Sequence, residues 1–433
     1  MERRGDPAAM VVMPVSVQRL VSCTRFATLL SWVLWSGLFS LAQANLPDSK
    51  KPLWNQDLVP TLSRTQSGLG SGAGVTFFDD TRLIVYAVST EPKQLSSRES
   101  PELSSPFRLD AWVVDAKSGK TEFQKEWGTR RYDSDVRATS GGILVKTGGI
   151  VRLYSPDFAQ VRELPLPLDT KGSYFASVST SGRSIAISHY LQKDRKWISH
   201  IDVLDASSLK IRHSWDQYPP IFRLSMTDER FVFERSGAIA VTDFAHPNAL
   251  SILDKAAQGC PAGVSVPTMI SSEFVVMRTC DAVLALTASG TRIPLEPFNG
   301  RGSSAGSGSK CERYFGAEKS TAASGGRFAA LALPTLKIKK PLFAEAGACL
   351  DGLQVAVYDL TLRRRVLTVS VDPVPKNNYD FALSPDGSKL VILNDRSVSV
   401  YTVPMLASKQ TRTPSSKNGS LYVQVSLPPP QTR

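Results

Sequence analysis

The sequence has few of the residues that build common catalytic and metal sites. It contains four histidines and five cysteines among 433 residues. No Cys-x-x-Cys spacing occurs, so no metal site of the zinc type is predicted. The longest basic cluster is Arg363–Arg365, and without longer blocks of one charge we predict no nucleic-acid partner. No helical periodicity over ten or more residues follows residue 44, which favours an all-β chain.

Long hydrophobic segments are also missing. The longest apolar run, Phe26–Leu41, has 16 residues, fewer than the ~20 that a membrane-spanning helix needs. Two arginines precede this run, and residues 42–44 (Ala-Gln-Ala) follow it with the small-x-small pattern that a signal peptidase reads. We therefore predict a signal peptide at 1–44, Asn45 as the first mature residue, and a periplasmic or extracellular protein. The alternative is an uncleaved anchor; cleavage leaves no stable membrane span.

Removal of the signal peptide leaves an even number of cysteines. In an exported chain such a set predicts disulfides, and four cysteines allow three pairings. We favour Cys260–Cys280 and Cys311–Cys349, because each pair falls within one of the repeats described next. The alternative is four buried free thiols.

A short apolar strand that ends in a turn residue recurs seven times. Successive copies end 38–50 residues apart, except for one interval of 72. A period in the forties is typical of four-stranded propeller blades. Aspartate suits the end of such a strand, because its carboxylate accepts the backbone N–H groups of the turn that follows. The copies are Ala111–Asp115, Ile150–Ser155, Ile201–Asp205, Ile239–Asp243, Val283–Thr287, Val355–Asp359 and Val398–Thr402.

Other apolar strands accompany these copies, one upstream in every repeat and one downstream in all but the last. We predict an all-β fold, a β-propeller with seven four-stranded blades; the long interval keeps six or eight open. The last repeat needs a fourth strand, and either Asp57–Leu62 or Leu421–Leu427 could close the ring. The predicted divisions are the signal peptide (1–44), an N-terminal segment (45–69), the propeller (70–403), and a polar loop with a C-terminal strand (404–433).

The last repeat carries a family resemblance. Its Ser-Pro-Asp-Gly-Ser-Lys-Leu segment at 384–390, together with the aspartate endings, resembles the TolB-type and WD-repeat-like bacterial β-propeller repeats. The resemblance extends from about Gly70 to Val403, and the last copy is the closest. The Gly-His and Trp-Asp signatures of WD repeats are missing apart from one Trp-Asp pair at 215–216. The resemblance therefore implies the fold and no particular activity.

One face of such a ring is predicted to carry the long insertions. In a four-stranded meander, the loops between strands two and three and the loops between blades emerge on the same face. The long insertions belong to these classes: Ser89–Pro106, Gln192–Lys196, Pro334–Gly352 and Pro297–Lys310. Because loops carry function more often than the scaffold does, we predict this face as the binding surface. Its cations are Lys193, Arg195, Lys196, Arg301, Lys337, Lys339 and Lys340, offset by several carboxylates.

The predicted partner follows from those cations. The run Lys337–Lys340 could bind an acidic protein or an anionic envelope component, such as a glycan or a lipid head group. The alternative interpretation is an ordinary solvated loop.

We predict no catalytic residues. His189 and His200 could face each other across the hairpin near Arg195, but two imidazoles without a third ligand do not make a metal site. Asp79-Asp80 is interpreted as a turn rather than as an acid/base pair. Residues 302–306 match the nucleophile-elbow pattern by letter, without the strand and the helix that should flank it.

A second turn motif concerns a cofactor. Asp115–Lys120 resembles the Asp-x-x-Ser/Thr-Gly-Lys turn of quinoprotein dehydrogenase repeats, which carry a tryptophan soon after the lysine in nearly every blade. Here only Trp127 and Trp215 are candidates, and no aromatic walls for a stacked quinone can be assembled from them. We therefore predict no cofactor.

Together these features predict an exported β-propeller that serves as a binding or scaffolding module. The alternative is an exported propeller enzyme, a lactonase-like hydrolase or a dehydrogenase, with its polar groups at the central channel.

Overall fold

A computed structural model shows how the chain folds, and it describes fourteen segments of the sequence. The segments are 51–57, 72–90, 107–129, 134–147, 149–166, 173–221, 224–235, 238–254, 267–272, 274–279, 282–297, 319–339, 347–375 and 379–405.

The described segments contain 28 β-strands. The first half of the chain contributes β1 (Trp54–Asp57), β2 (Ala73–Phe77), β3 (Arg82–Thr90), β4 (Phe107–Asp115), β5 (Thr121–Thr129), β6 (Asp135–Thr139), β7 (Gly142–Thr147), β8 (Ile150–Tyr154), β9 (Gln160–Pro165), β10 (Ser173–Val178), β11 (Ser184–Lys193), β12 (Lys196–Asp205), β13 (Ile211–Gln217) and β14 (Leu224–Met226). The second half contributes β15 (Arg230–Arg235), β16 (Ala238–Asp243), β17 (Ser251–Asp254), β18 (Thr268–Met269), β19 (Phe274–Arg278), β20 (Ala282–Thr287), β21 (Arg292–Pro297), β22 (Ser320–Ala322), β23 (Phe328–Lys339), β24 (Gly347–Asp359), β25 (Arg364–Ser370), β26 (Asp380–Leu383), β27 (Lys389–Leu393) and β28 (Ser397–Thr402).

The strands form seven four-stranded antiparallel sheets, the blades of a β-propeller. Blades 1 to 6 take four consecutive strands each, from β2–β5 to β22–β25, and blade 7 consists of β26, β27, β28 and β1. The predicted all-β fold and its seven blades are confirmed. All seven copies of the recurring apolar strand are third strands. The 72-residue interval belongs to blade 6, where β23 and β24 have 12 and 13 residues.

The N-terminal segment supplies the fourth strand of blade 7. Trp54 pairs with Val400, and Asp57 pairs with Ser397, in an antiparallel register. Of the two candidates for the closing strand, the N-terminal one is therefore found, with its described residues at 54–57; residues 58–62 lie outside the described residues. The other candidate, Leu421–Leu427, lies outside the described residues. Because β1 covers the outer edge of β28, the ring is closed by strands from both ends of the described chain.

Seven hydrophobic cores hold the ring together, and each lies between two neighbouring blades. The core between blades 7 and 1, for example, joins Val75 and Val85 to Val391 and Val400. The core between blades 6 and 7 joins Val355 and Val357 to residues of β26 and β27. Successive side chains of a strand point to opposite faces of its sheet, so each blade packs against both neighbouring blades. The described chain therefore packs as a circle of sheets.

Short turns make up one face of the ring, which we call the lower face. It carries the turns between first and second strands and between third and fourth strands. Neighbouring blades are hydrogen-bonded there: the Asp386 N–H donates to Asp80 Oδ1 at 2.7 Å, and the Ser140 N–H donates to the Gly182 carbonyl at 3.0 Å. The opposite, upper face carries the turns between second and third strands and the connections between blades.

The upper face differs in one respect from the sequence interpretation. Three of the predicted long loops continue as paired strands: β3 with β4 as far as Thr90 and Phe107, β11 with β12 as far as Lys193 and Lys196, and β23 with β24 as far as Lys339 and Gly347. The prediction of a loop was wrong for the described residues of Pro334–Gly352, which form paired strands. Gln192–Lys196 is a hairpin with its turn at Asp194-Arg195, and residues 91–106 of Ser89–Pro106 lie outside the described residues. Alternating apolar and polar residues at 335–339 satisfy a strand, and Pro334 is tolerated where β23 extends beyond the short inner strand β22.

In the part of the chain that the structure describes, no helix has the length and hydrophobicity needed to cross a membrane.

Candidate binding surfaces

The hairpin of blade 3 projects from the upper face. It consists of β11 and β12, which pair from Ser184–Asp205 to Lys193–Lys196. Asp194 and Arg195 form its two-residue turn with φ angles of 50° and 61°. Positive φ at both central positions is typical of the turn that matches the twist of paired strands. The six residues 192–197 are all exposed, so this hairpin stands above the ring.

Two aromatic side chains lie exposed at this end of blade 3. Trp197 follows the hairpin turn on β12 and is 43% exposed, and Tyr218 follows β13 and is 55% exposed. The Lys196 ammonium lies 5.4 Å from the centre of the Tyr218 ring, within cation–π distance. Lys193 forms an ion pair of 3.2 Å with Asp216. The sequence interpretation identified the cations of this surface and missed both aromatic residues, because their exposure depends on the projecting hairpin.

The side chains of the other predicted cations of the upper face are outside the part of the chain that the structure describes. Arg301 and Lys340 are outside the described residues, and so is most of Pro297–Lys310. Lys337 and Lys339 are on β23, paired with Cys349 and Gly347, and their side chains are not described. The predicted binding role of Lys337–Lys340 stays a prediction.

His189 and His200 form a register pair across β11 and β12, with ring centres 6.1 Å apart. His189 Nε2 lies 3.1 Å from Asp202 Oδ2, and His200 Nδ1 lies 2.8 Å from Asp216 Oδ1. Burial works against the charged form of Asp202, but hydrogen bonds with His189 and Ser214 hold the pKa of this carboxyl below its usual value. The hydrogen bond with His200, followed by the ion pair with Lys193, lowers the pKa of Asp216.

Ser214 adds a serine–histidine–aspartate order to this network. Its Oγ lies 3.0 Å from His200 Nε2, but it also lies 2.8 Å from Asp202 Oδ1. A hydroxyl has one hydrogen, and a carboxylate is the stronger acceptor, so Ser214 donates to Asp202 and not to the imidazole. The cluster is a polar network that joins three strands rather than an activated nucleophile. Among the described side chains, no group of three or more His, Cys, Asp or Glu could hold a metal ion.

The remaining candidates from the sequence either make the hydrogen bonds of turns or have no described side chain. Asp79 Oδ1 accepts the Thr81 and Arg82 N–H groups at 2.8 Å, as expected for a turn aspartate. Asp115 Oδ1 accepts the Ser118 N–H at 2.7 Å in the turn that resembles the quinoprotein motif. Cys260, Cys280 and Cys311 lie outside the described residues. Cys349 is on β24 without a described side chain, so the disulfides stay predictions.

A channel of about 790 Å³ runs along the ring axis. The first strands of all seven blades contribute to its wall, and twelve of its 30 lining residues are serine or threonine. Some of these hydroxyls join neighbouring blades: the Met269 N–H donates to Ser225 Oγ at 2.9 Å, and the Thr268 and Ser320 hydroxyls are hydrogen-bonded to each other. The channel is therefore a cavity with many hydroxyl groups in its wall, of the size that accommodates a small molecule.

Sequence reasoning placed few of these first strands. Several are only two or three residues long, such as Thr268–Met269 and Ser320–Ala322, and they are polar on the channel side. The signal that could have found them is the turn that follows. Asp79-Asp80 and Ser324–Gly326 mark the lower ends of β2 and β22, so counting back from each turn would have located the channel wall.

Comparison with known proteins shows no family and only distant structural likenesses. The sequence matches no protein-family profile and no curated protein. The structure is similar to the Neurospora crassa Pan2 WD40 domain, with 11% identity over 83% of this chain and 98% of that one and a TM-score of 0.48. Kluyveromyces lactis Hsv2 has 13% identity over 75% and 91% of the two chains and a TM-score of 0.42. Kuenenia stuttgartiensis hydrazine synthase has 12% identity over 78% and 97%, with a TM-score of 0.44. Likenesses this distant carry no argument about activity.

Proposed function

We propose that this chain is an exported β-propeller of the TolB-type, WD-repeat-like class that binds a protein partner through the upper end of blade 3. The observation that carries the proposal is the hairpin at 192–197, which presents Trp197 beside Tyr218 and three cations. Tryptophan, tyrosine and arginine contribute most of the binding free energy in protein interfaces. The remaining blades act as the rigid support that holds these side chains in place.

The chemistry of the surface favours a partner with acidic residues around an apolar anchor. Lys193, Arg195 and Lys196 exceed the two carboxylates next to them, Asp194 and Asp216, and the whole chain has a formal net charge of +12. Such a charge balance speeds association with an acidic surface and orients it. The exposed aromatic rings supply the apolar contact. An anionic glycan or lipid head group would use the same cations and is an outcome of the test below.

The two ends of the described chain lie on the face opposite the proposed binding surface. Trp54 begins β1 next to the lower-face turn at Ala116, and Val403 follows β28 next to the lower-face turn at Ser388. Both ends of the described chain therefore leave the ring on the lower face. If the apolar segment 26–41 were retained as an anchor, the upper face would point away from the membrane.

Truncation of the two aromatic residues is expected to abolish most partner binding. A photoreactive amino acid in place of Arg195, in cells of the native host, should form crosslinks to a protein. Adding Trp197→Ala and Tyr218→Ala should reduce the crosslink yield about tenfold or more, because buried aromatic anchors are typical hot spots. Thermal unfolding should stay close to that of the unaltered protein, since both side chains are about half exposed.

A matched control is Phe123→Ala, which removes an aromatic side chain that is 40% exposed on the outer strand of blade 1. This variant should leave the crosslink yield unchanged. Adducts that contain lipid or glycan instead of protein would contradict the assignment of the partner. Equal loss with Phe123→Ala would contradict the assignment of the surface.

Export is expected to remove residues 1–44. The prediction is a mature N-terminus at Asn45, because the small-x-small pattern precedes that residue directly. Mass spectrometry of the protein purified from its host would identify the N-terminal peptide. A peptide that spans 42–46 intact would contradict cleavage and favour the anchored form.

A further inference from the structure

The central channel collects three charged side chains and one tyrosine from four consecutive blades. Arg137 belongs to β6 of blade 2, Tyr86 to β3 of blade 1, Asp380 to β26 of blade 7, and Lys319 precedes β22 of blade 6. Asp380 begins β26, Lys319 directly precedes β22, Arg137 lies in the middle of β6, and all four side chains line the cavity. This surface is separate from the projecting hairpin of blade 3.

Tyr86 reaches the channel because its strand neighbour is a glycine. Gly74 on β2 pairs with Tyr86 on β3, and a Cβ added to Gly74 would lie 2.3 Å from the Tyr86 hydroxyl. Because Gly74 has no side chain, Tyr86 of the second strand can extend across the first strand, β2, and reach the channel. The Tyr86 hydroxyl there makes a hydrogen bond with Arg137.

The acceptors of this cluster are already in use. Asp380 Oδ2 accepts the Val75 N–H at 2.8 Å, and Asp380 Oδ1 accepts the Lys319 ammonium. Asp135 is the ion-pair partner of Arg137, at 3.3 Å. Each of these carboxylates is thus committed to groups within the protein.

The donors of the cluster have unused capacity. A guanidinium has five N–H donors and an ammonium has three, while the Arg137 and Lys319 side chains are 35% and 32% exposed to the cavity. Tyr379 lines the same end of the cavity, is 4% exposed, and has a hydroxyl without a hydrogen-bond partner among the described residues. Burial raises the pKa of the Tyr86 and Tyr379 hydroxyls, so both stay protonated at neutral pH.

Two carboxylates balance the two cations at this end of the cavity. The groups that remain for a ligand are the unused N–H and O–H donors, which fit an acceptor-rich anion. The planar fork of an arginine matches the two oxygens of a carboxylate. Below the cluster the wall changes to serine and threonine hydroxyls, each able to donate one hydrogen bond and accept two. Such a wall fits a ligand body that carries hydroxyl groups of its own.

We propose that the channel binds a small sugar acid, with its carboxylate held by Arg137 and Lys319 and its hydroxyl groups held by the serine and threonine wall. The carboxylate supplies the charge that two cations and the Tyr379 hydroxyl can bind together. The hydroxylated body replaces water along the inner strands. The channel volume of about 790 Å³ accommodates a ligand of this size.

Isothermal titration calorimetry with D-glucuronate as the probe tests this proposal. The expected result is saturable binding, with D-glucose and acetate each binding far more weakly, since each lacks one half of the recognised chemistry. Arg137→Gln should weaken glucuronate binding about tenfold or more, because charged hydrogen bonds are lost while the side-chain volume is nearly kept. Arg212→Gln removes an exposed arginine on the outer strand β13 and should have no effect.

Lys319→Gln gives an independent readout if Arg137→Gln fails to fold. It should also weaken glucuronate binding, whereas Trp197→Ala should not, so failure of this proposal is distinguishable from failure of the proposed partner surface. No binding of glucuronate at millimolar concentration would overturn the proposal. So would binding that both channel variants leave unchanged, and so would acetate binding as tightly as glucuronate.

Discussion

Replacing Asp359 by alanine is expected to lower the free energy of unfolding by about 3 kcal/mol, because a buried carboxylate that is paired and hydrogen-bonded is lost. Asp359 ends the third strand of blade 6 and is fully buried. Its Oδ2 accepts two guanidinium N–H groups of Arg327, at 2.9 and 2.6 Å. Its Oδ1 accepts the backbone N–H groups of Thr361 and Leu362, at 3.0 and 3.1 Å. Alanine would leave all four donors without this acceptor.

The same position in blade 1 provides the matched control. Asp115 also ends a third strand and accepts the Ser118 N–H and hydroxyl, but these contacts are exposed. Asp115→Ala should therefore cost about 1 kcal/mol, as for an exposed capping residue. Urea unfolding of the two variants measures the difference. Equal losses would show that the buried ion pair with Arg327 adds nothing to the turn hydrogen bonds.

These aspartates also show which parts of the fold a sequence reveals. Third strands were predictable because an apolar run followed by Asp is a local pattern whose physical cause, turn capping, acts within a few residues. Second strands were predictable for a similar reason, since they follow the turns of the lower face. Seven copies of these local patterns were enough to predict the propeller.

Features that depend on contacts between distant residues were less accessible. First strands such as Ser320–Ala322 are short and polar because inter-blade hydrogen bonds, rather than hydrophobic burial, hold them. Pro334 suggested a loop, although among the described residues the inner strand β22 pairs only as far as Leu331, which leaves the side where the proline lacks a donor uncovered. The channel cluster of Arg137, Lys319 and Asp380 unites residues that are up to 243 positions apart. Only the closed ring brings them together.

The strand that closes the ring was predicted only as one of two alternatives, with bounds that begin three residues later than those observed. The polar segment before Gly70 gave little periodicity, and the interpretation placed its strand at 57–62. The structure places it at 54–57 because Trp54 fits a site made by blade 1. Its indole Nε1 donates to the Ala116 carbonyl at 2.9 Å, and its ring covers Gly119, where an added Cβ would lie 2.9 Å from the ring.

Trp54→Ala is accordingly expected to lower the free energy of unfolding by about 3 kcal/mol, as for a large-to-small substitution of a packed aromatic residue. The indole contacts the core between blades 7 and 1, so its loss weakens the junction that closes the circle. Detachment of β1 would also expose the edge of β28, which can pair with another chain. Urea unfolding should show the loss of stability, and size-exclusion chromatography should show oligomers.

Leu53, next to Trp54, provides a control that separates the effect of side-chain packing from the effect of backbone pairing with β28. Its N–H donates to the Val400 carbonyl at 2.7 Å, but its side chain is 48% exposed. Leu53→Ala keeps the hydrogen bond and should change stability by less than about 0.5 kcal/mol.

Gly119→Ala tests the same junction between blades 7 and 1 from the side of blade 1. At φ +76°, and with its new Cβ against the indole, it should destabilise the ring in the same direction as Trp54→Ala. A stable, monomeric Trp54→Ala variant would mean that β1 is dispensable, and that the seven inter-blade cores hold the circle closed without it.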